Sequence, residues 1–530
     1  IMMNWNTFGR GMAVSAIALS VAGIASAQVT TSSIRGQVSD ADGAAVADAT
    51  VVITHVPSGT VSAAVSGSNG TFSARGLRVG GPYTVEVTGA DFTPVTVTDI
   101  YIALDQTYPL NLTVSGARTL DTVVVTGSQL QSGFSSQGLT TSLGLEALNE
   151  VVTIDRDITD AAELDPFASV NVQSGGAKEL TIAGANNRFN SLTIDGVALN
   201  DRFGLNANGY PTQRSPISFD AIQSLSVETA PFDTEYNGFT GGTINAVTKS
   251  GTNEFHGSAF YFKTDDSMAG SKIGDRKVDR SFEEKTYGGT FGGPIIKDKL
   301  FFFVSYDKYE EAAALNRGPT GSGAVNIEDV TPEDIAEISD IMSTVYGFDT
   351  GDFAGGVPPV EDEKILGSID WNITNDHRAK FTYIKTEGAS INEQNGNNFL
   401  QGADLAYPSS WYNNSEKVES YIGHLYSDWT ANFSTEVKIA KTTQATGQDS
   451  LNGAEFFLGS VETSTGTVIA FGPDRFRHGN ELDQEFMQYK LKAEYLLGDH
   501  TLKAGFEREE VDVDNLFAQN SEGTYAFRTI

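Results

Sequence analysis

Cysteine is absent from the 530-residue chain, which excludes a disulfide framework and thiolate metal sites. Positive charge is scarce, because 35 Lys and Arg stand against 68 Asp and Glu and give a formal charge of −33. A nucleic-acid-binding surface needs a basic footprint, so this balance argues against a nucleic-acid partner. Glycine and aromatic residues are plentiful, with 55 Gly, 31 Phe and 18 Tyr, and this composition suits strands and tight turns better than helices.

Catalytic motifs are also missing, since the sequence contains no HExxH, GxSxG or GxxxxGK pattern. The histidines are scattered, and we expect hydrogen bonding rather than metal ligation from those near strand starts and turns. They are His55, His256, His377, His424, His478 and His500. The Asp40–Gly43 segment is expected to be a β-turn rather than a calcium loop, because no Glu stands at the twelfth loop position. We therefore predict no enzyme activity, no cofactor and no metal site.

Long apolar runs are absent except at the N-terminus, where Arg10 precedes a nearly uncharged stretch from Ala13 to Ala25. That stretch is shorter than the ~20 residues that a membrane-spanning helix needs. Ala25 and Ala27 form an A-x-A cleavage pattern, so we predict a secretory signal peptide over residues 1–27. Because no other run is long enough to span a bilayer as a helix, membrane insertion would require a β-barrel.

Residues 28–115 are predicted to form a small β-sandwich. Short alternating runs such as Ile34–Val38 and Tyr83–Thr88 are separated by turn residues such as Ser68, Asn69 and Gly70. The segment also resembles the carboxypeptidase-regulatory-like domain. The residues that carry this resemblance are Gly36, Gln37, Val38, Asp40, Gly43, Ala49, Val51, Asn69, Gly70, Thr71, Phe72, Tyr83, Thr84 and Val85. The resemblance implies a non-catalytic domain.

Residues 116–138 are predicted to be a linker that contains one short β-prone run. One interpretation makes the run the last strand of the preceding domain, and the other makes it an exposed strand that adds to another protein's sheet. The run resembles the TonB box, in which an acidic residue and a Val-rich stretch precede Thr-Gly, and the segment that follows favours this second interpretation. The resemblance implies that TonB binds through Asp121, Thr122, Val123, Val124, Val125, Thr126 and Gly127.

Residues 139–250 are polar and mixed in pattern, with little continuous apolar sequence. They resemble the plug domain of TonB-dependent receptors. Residues 192–197 match its characteristic strand and turn, and residues 220–242 match its closing portion. The resemblance implies a plug motif at Asp195, Gly196, Gly241 and Gly242.

Two longer motifs narrow the resemblance. Residues 245–257 (NAVTKSGTNEFHG) and 292–303 (GGPIIKDKLFFF) are similar to segments of the Oar-like subgroup of TonB-dependent outer-membrane receptors. With the sandwich, the box and the plug, the resemblance covers nearly the whole chain after the signal peptide.

Residues 251–530 show the two-residue period of a transmembrane β-barrel, for example where Leu491 and Tyr495 alternate with Lys490 and Lys492. A soluble sheet alternates in the same way, so the connections decide between the two. Strands are predicted near 253–264, 283–293, 300–311, 363–374, 379–389, 414–429, 434–447, 482–497 and 501–513, with another starting near 523. Long and short gaps alternate strictly, as outer loops and periplasmic turns do. Roughly ten strands of a 22-stranded barrel imply that the chain ends near the barrel's midpoint.

The longest insertion is predicted to hold one helix. Thr331 is placed to cap it, with Pro332 at the first position and Asp334 as the capping-box acid. Ile338 and Ile341 are expected on its packed face, together with a third isoleucine one turn earlier.

The sequence thus predicts a mainly β protein with a β-sandwich, an α+β plug and part of an outer-membrane barrel. The predicted segments are 1–27 signal peptide, 28–115 sandwich, 116–138 linker with box, 139–250 plug and 251–530 barrel. The function implied by the resemblance is TonB-dependent transport across the outer membrane, driven by the inner-membrane proton-motive force, with the N-terminal domain in the periplasm. Expected partners are TonB with its energising complex, outer-membrane lipid and an unidentified cargo, with peptide, protein and oligosaccharide left open. The alternative is an adhesion or surface-interaction protein that uses the sandwich and the large loops.

Overall fold

The computed structural model describes residues 29–104, 106–116, 123–126, 134–137, 139–153, 155–173, 177–231, 233–270, 272–273, 276–277, 281–394, 403–498 and 500–528. The predicted signal peptide, with Ala25 and Ala27, lies outside these residues. None of the helices they form combines the length and the apolar character that a membrane crossing demands.

The N-terminal region is a β-sandwich, as predicted. One sheet contains Thr71–Leu77, Ser32–Ser39, Thr107–Pro109 and Leu112–Thr113, and the other contains Thr60–Val65, Thr50–His55, Gly80–Thr88, Val95–Ile102 and Val123–Thr126. Alternate residues of each strand point inward, so that Ile34, Val51, Ile53 and Val85 are fully buried between the sheets. Asp40 closes a turn by accepting the backbone N–H groups of the second and fourth residues after it, which agrees with the turn interpretation.

The next region is a mixed α+β unit, called the plug below. Its main sheet has the order Phe134–Gln137, Thr140–Gly144, Ile222–Glu228, Thr243–Thr248, Ser191–Ile194 and Val197–Ala198. A separate hairpin and four short helices complete it: Ala168–Val172 with Lys178–Ile182, then Leu145–Glu150, Ile158–Ala162, Asn187–Phe189 and Phe219–Ala221. The plug's apolar core is continuous with side chains of the surrounding wall, among them Phe303, Leu366 and Ile422. This sharing explains why so polar a sequence has a buried core.

Nine of the remaining strands form one antiparallel sheet around the plug, called the barrel wall below. Its nine strands, in chain and spatial order, are His256–Asp265, Phe282–Ile296, Leu300–Ala313, Val360–Asn372, His377–Asn392, Tyr412–Thr430, Phe433–Ser450, Gly479–Leu497 and His500–Ala518. The short turns are 297–299, 373–376, 431–432 and 498–499, and the long connections are 266–281, 314–359, 393–411 and 451–478. The predicted alternation of long and short connections is therefore present.

The two faces of the barrel wall differ as the alternation predicted. Inward residues such as Asp370 and Lys490 are buried against the plug, whereas Ile369, Trp371 and Leu491 point outward and remain about half exposed. Further outward-facing aromatic residues lie along the wall, with Trp429 beside a short turn and Tyr261, Tyr306 and Tyr421 within their strands. An apolar outer face that carries aromatic residues is typical of a barrel in lipid.

The long connections pack into a cap of their own. The predicted helix is Pro332–Val345, with the expected capping box between Thr331 and Asp334. Its buried face uses Ile338 and Met342 rather than Ile341, which is more than a third exposed, because an i, i+4 pair meets the loop core.

Small strands and 3-10 turns make up the rest of the cap and the neighbouring loops. The strands are Lys272–Ile273, Arg276–Lys277, Arg317–Gly318, Asn326–Ile327, Leu405–Ala406, Leu458–Glu462, Val468–Phe471 and Thr524–Phe527, and the 3-10 turns are Asp266–Met268, Phe353–Gly355 and Pro408–Ser410. The strand expected near 523 is Thr524–Phe527, and it pairs in parallel with Leu458–Glu462 in the cap instead of extending the wall.

Candidate functional site

The β-prone run of the linker forms the strand Val123–Thr126. It pairs in parallel with Val95–Ile102, with Val95 opposite Val123 and Thr98 opposite Thr126. It is the terminal strand of its sheet, so its pairing is that of the first interpretation, the last strand of the preceding domain. Asp121, Thr122 and Gly127 lie outside the described residues. The binding role of the run stays a prediction.

The turn at Asp195 and Gly196 joins the last two strands of the plug's main sheet. Both residues have positive φ, 46° and 69°, which Gly adopts freely and which Asp tolerates better than most residues. This conformation turns the Asp195 carboxylate back onto Thr248 of the neighbouring plug region. There it accepts hydrogen bonds from the Thr248 backbone N–H at 2.9 Å and from its hydroxyl at 2.7 Å.

The same carboxylate ties the plug to the barrel wall. Lys380 Nζ lies 3.0 Å from an Asp195 carboxylate oxygen, and Thr382 Oγ1 donates to that oxygen at 3.0 Å. Burial alone would raise the pKa of the Asp195 carboxyl, but Lys380 and the two Thr248 donors outweigh it and hold that pKa below its usual value. Asp195 is therefore a buried anion whose partners come from both the plug and the wall.

The carbonyl of Gly196 makes a second link to the wall. Lys438, which is almost fully buried on the Phe433–Ser450 strand, donates from Nζ to this oxygen. Adjacent residues of one turn thus receive cations from two different wall strands. A buried ammonium needs such an acceptor, because an unpaired charge in the interior is costly.

Gly241 and Gly242 lie where two chain segments come too close for a side chain. A Cβ at Gly241 would stand 2.3 Å from Asn190 Oδ1, and one at Gly242 would stand 2.4 Å from the Ile182 side chain. The backbone N–H of Gly242 instead donates to Asn190 Oδ1 at 3.1 Å. The two glycines therefore allow close packing within the plug.

A carboxylate cluster near the end of the plug faces a row of lysines on the last two wall strands. Glu235 lies 2.7 Å from Lys492 Nζ and 2.9 Å from Lys503 Nζ, and Asp233 also lies 2.9 Å from Lys503. Burial raises the pKa of the Glu235 carboxyl, but the lysines reverse this effect and leave it lowered. The cluster is a third charged contact between plug and wall.

On the side of the long connections, Glu416 of the wall holds the plug's loop. The Asn206 amide donates to Glu416 at 2.7 Å, and the Gln213 backbone N–H donates to its other oxygen. Lys380, Lys438 and Glu416 were not singled out from the sequence. The available signal was their position, since each is charged and occupies an inward-facing place on a strand whose other face is apolar.

The histidines divide into surface and buried groups. His256 is exposed, whereas His55 is buried and hydrogen-bonded to Ser58 Oγ at 2.7 Å. Burial, together with the nearby Arg78 and Arg378 guanidinium groups, lowers the pKa of His55 to about 3. Over the part of the chain that the structure describes, no three His, Asp or Glu side chains cluster in a way that could hold a metal ion.

Three family models match successive parts of the chain. The carboxypeptidase regulatory-like domain matches residues 33–115, the TonB-dependent receptor plug domain matches residues 134–243, and an outer membrane beta barrel domain matches residues 247–320. Together with the fold, these matches show a plug domain of the TonB-dependent receptor type inside an outer-membrane β-barrel wall.

Two curated proteins and one solved structure refine this class. The chain is 27% identical to the TonB-dependent transporter Oar of Myxococcus xanthus over 60% of its own length and 30% of Oar. It is also 27% identical to a probable TonB-dependent siderophore receptor, PirA of Acinetobacter baumannii, over 41% of its length and 29% of PirA. The outer membrane transporter YddB of Escherichia coli shares the fold, with a TM-score of 0.52 and 11% identity over 74% of this chain and 52% of YddB. The chain thus spans about three-tenths of the length of these two curated relatives.

The sandwich, the plug and the barrel wall follow one another in the predicted Oar-like order, so the predicted resemblance to TonB-dependent receptors is confirmed. The predicted fold class is confirmed. The relatives are named as transporters and receptors rather than as enzymes.

Proposed function

We propose that this protein is an energy-coupled transporter of the outer membrane, which binds cargo on its outer side and admits it when the plug is displaced. The observation that carries the proposal is the charged contact between plug and barrel wall. Asp195 and Gly196 are held by buried lysines of two strands, and Glu235 is held by the partly buried Lys492 of a third. A lumen closed in this way opens only when work is done on the plug, and the outer membrane has no nucleotide supply of its own.

TonB is the proposed source of that work, and residues 121–127 are its proposed binding segment. The terminal strand Val123–Thr126 has one sheet edge without a partner among the described strands, which is the form needed for strand addition. The proton-motive force of the inner membrane would then be transmitted as a pull on this segment.

The sandwich is proposed to lie in the periplasm. It contacts the barrel wall at the short-turn end: Arg75 donates to the carbonyls of Ala431 and Asn432 at 3.3 and 3.5 Å. The backbone N–H of Asn253, which precedes the first wall strand, also donates to the Pro57 carbonyl at 2.8 Å. Short turns of outer-membrane barrels face the periplasm and long loops face outward, which supports this orientation.

Several kinds of cargo are proposed. One relative is named a siderophore receptor and the other a transporter, so an iron chelate, a peptide, a protein and an oligosaccharide are all proposals for this chain. The cap formed by the long connections, with Trp411 and Tyr407 in its core, is the proposed outer gate.

The experiment that tests the coupling needs no cargo. A photo-crosslinking amino acid at Val124 of the full-length receptor should give an adduct with TonB, and the adduct should disappear in cells without TonB. The same amino acid at Asp42, in an exposed turn of the sandwich, is the matched control. Once a cargo is known, deletion of residues 121–127 should leave assembly in the outer membrane intact and abolish its uptake. A correctly assembled receptor that gives no TonB adduct at Val124 would contradict the proposal.

The alternative function, surface adhesion, places the sandwich outside the cell. Its contacts at the short-turn end argue against that placement. Protease added to intact cells distinguishes the two, because cleavage within residues 33–114 supports adhesion and protection supports the transporter.

A further inference from the structure

One turn of the sandwich, residues 75–80 and called the rim turn here, enters the barrel wall at the short-turn end. Arg78 forms an ion pair with Asp370 on the Val360–Asn372 strand, and its Nη2 donates to Asn372 Oδ1 at 3.1 Å. Arg78 and Asp370 are both buried. A buried arginine with two acceptors on one strand fixes both the position and the orientation of the turn.

Around the Arg78–Asp370 ion pair, further hydrogen bonds join the sandwich and the wall, with donors on both sides. Arg378 of the wall donates to the Gly76 carbonyl at 3.3 Å, and the Asn372 amide donates to Thr60 Oγ1 at 3.0 Å. Arg75 reaches the turn 431–432 and also Glu494, at 3.7 Å. The sandwich is therefore attached to several wall strands rather than suspended from the linker.

The rim turn also covers the plug. Val79 packs with Leu104 of the sandwich and Val247 of the plug in a separate apolar cluster. Gly80 stands against the Gln223 amide so closely that a Cβ there would lie 2.9 Å from it. Between the sandwich, the plug and the wall lies a cavity of about 320 Å³. A plug that leaves the barrel on this side would meet the sandwich first.

We propose that the sandwich is a second stopper, whose rim turn binds the inner edge of the wall and the plug together, and which must leave the wall before the plug moves. The inference rests on the proposed energy coupling. The strand Val123–Thr126 is hydrogen-bonded to the sandwich, so a pull on residues 121–127 acts on the sandwich before it reaches the plug. The rim turn thereby sets the order of opening.

The test measures departure of the sandwich directly. Residues 1–530 contain no cysteine, so Q223C places one thiol on the plug beneath the rim turn, in a full-length receptor whose other cysteines, if any, are replaced by serine. A maleimide supplied to the periplasm should label this thiol at least about tenfold faster in energised cells with TonB than in cells without TonB or treated with an uncoupler. Equal labelling in all three states would overturn the inference.

Two sets of substitutions then test the contact between the sandwich and the wall: a disulfide that locks it and a substitution that weakens it. T60C with N372C joins two side chains whose polar atoms are 3.0 Å apart, and the oxidised lock should abolish the energy-dependent labelling of Q223C until a reductant is added. R78A should raise labelling without TonB, while R35A, which removes an exposed arginine of the same sandwich, should not. If R78A fails to assemble, the lock alone decides.

The two proposals fail differently. If labelling requires TonB and residues 121–127 but is unaffected by the T60C/N372C disulfide, the proposed energy coupling stands and the proposed role of the sandwich as a stopper is overturned. Labelling that ignores TonB as well as the lock would overturn both. Labelling that requires TonB and is blocked by the lock supports both.

Discussion

The sandwich and the plug lie side by side in the chain and keep their shapes by different means. The buried core of the sandwich comes from its own residues, all between 34 and 114. The plug shares its core with the wall through Phe303, Leu366 and Ile422, and its turn at Asp195 is held by wall lysines. The plug therefore depends on the wall for both apolar burial and charge pairing, whereas the sandwich has a core of its own.

Removal of the Asp195 carboxylate should destabilise the plug more than any other substitution considered below. D195A leaves Lys380, Thr248 and Thr382 without their shared acceptor. Removing one partner of a buried pair costs about 3–5 kcal/mol, so the plug should lose hydrogen-exchange protection while the sandwich keeps it. Hydrogen exchange resolved by domain on the full-length, solubilised receptor checks this. E150Q, at an exposed carboxylate of the plug, is the control, and equal protection in D195A and E150Q would count against the contact.

The converse change should affect the sandwich alone. I53A removes a fully buried side chain from its core, and such a truncation costs about 2–5 kcal/mol. Protection should fall across the sandwich strands and stay unchanged in the plug, since the two cores are separate. V65A, at a half-exposed valine of the same sandwich, should have little effect. Loss of protection in both regions after I53A would show that the sandwich and the plug unfold together.

Acid should destabilise the sandwich through His55. His55 takes up a proton near pH 6.5 when unfolded but only near pH 3 when folded, so the sandwich loses stability as the pH falls through this interval. At pH 5 the loss is about 2 kcal/mol, from 1.4 kcal/mol per unit. The Asp195 carboxyl has a lowered pKa, so its contribution persists above the ordinary Asp value and is lost only below it. Thermal unfolding of the sandwich should therefore shift to lower temperature between pH 7 and 5, and H55Q should remove the shift.

Local sequence patterns were sufficient to predict most of the fold. Two-residue alternation and connection length located the wall strands, because both patterns depend only on residues that are close together in the sequence. Asp195 was found as part of a turn, but its partner Thr382 lies 187 positions further along the chain. That contact depends on strand register around the whole wall, which no local pattern encodes. For the same reason alternation found a strand near 523 but did not reveal that it pairs with Leu458–Glu462 in the cap.

Loss of the N-cap of the helix in the cap should have the smallest effect and should leave both the sandwich and the plug unchanged. T331A removes the hydroxyl that accepts the Asp334 backbone N–H at 3.1 Å and donates to the Asp334 carboxylate at 2.7 Å. Loss of an N-cap of this kind costs about 1 kcal/mol, and the helix Pro332–Val345 belongs to the cap, away from the sandwich and from the plug's charged contacts. Exchange of the first-turn amides should quicken about fivefold, while T331S, which keeps the hydroxyl, should behave as the parent. If T331A instead loosened the plug, the cap would be coupled to the lumen, and the outer gate and the plug would have to be treated as one opening unit.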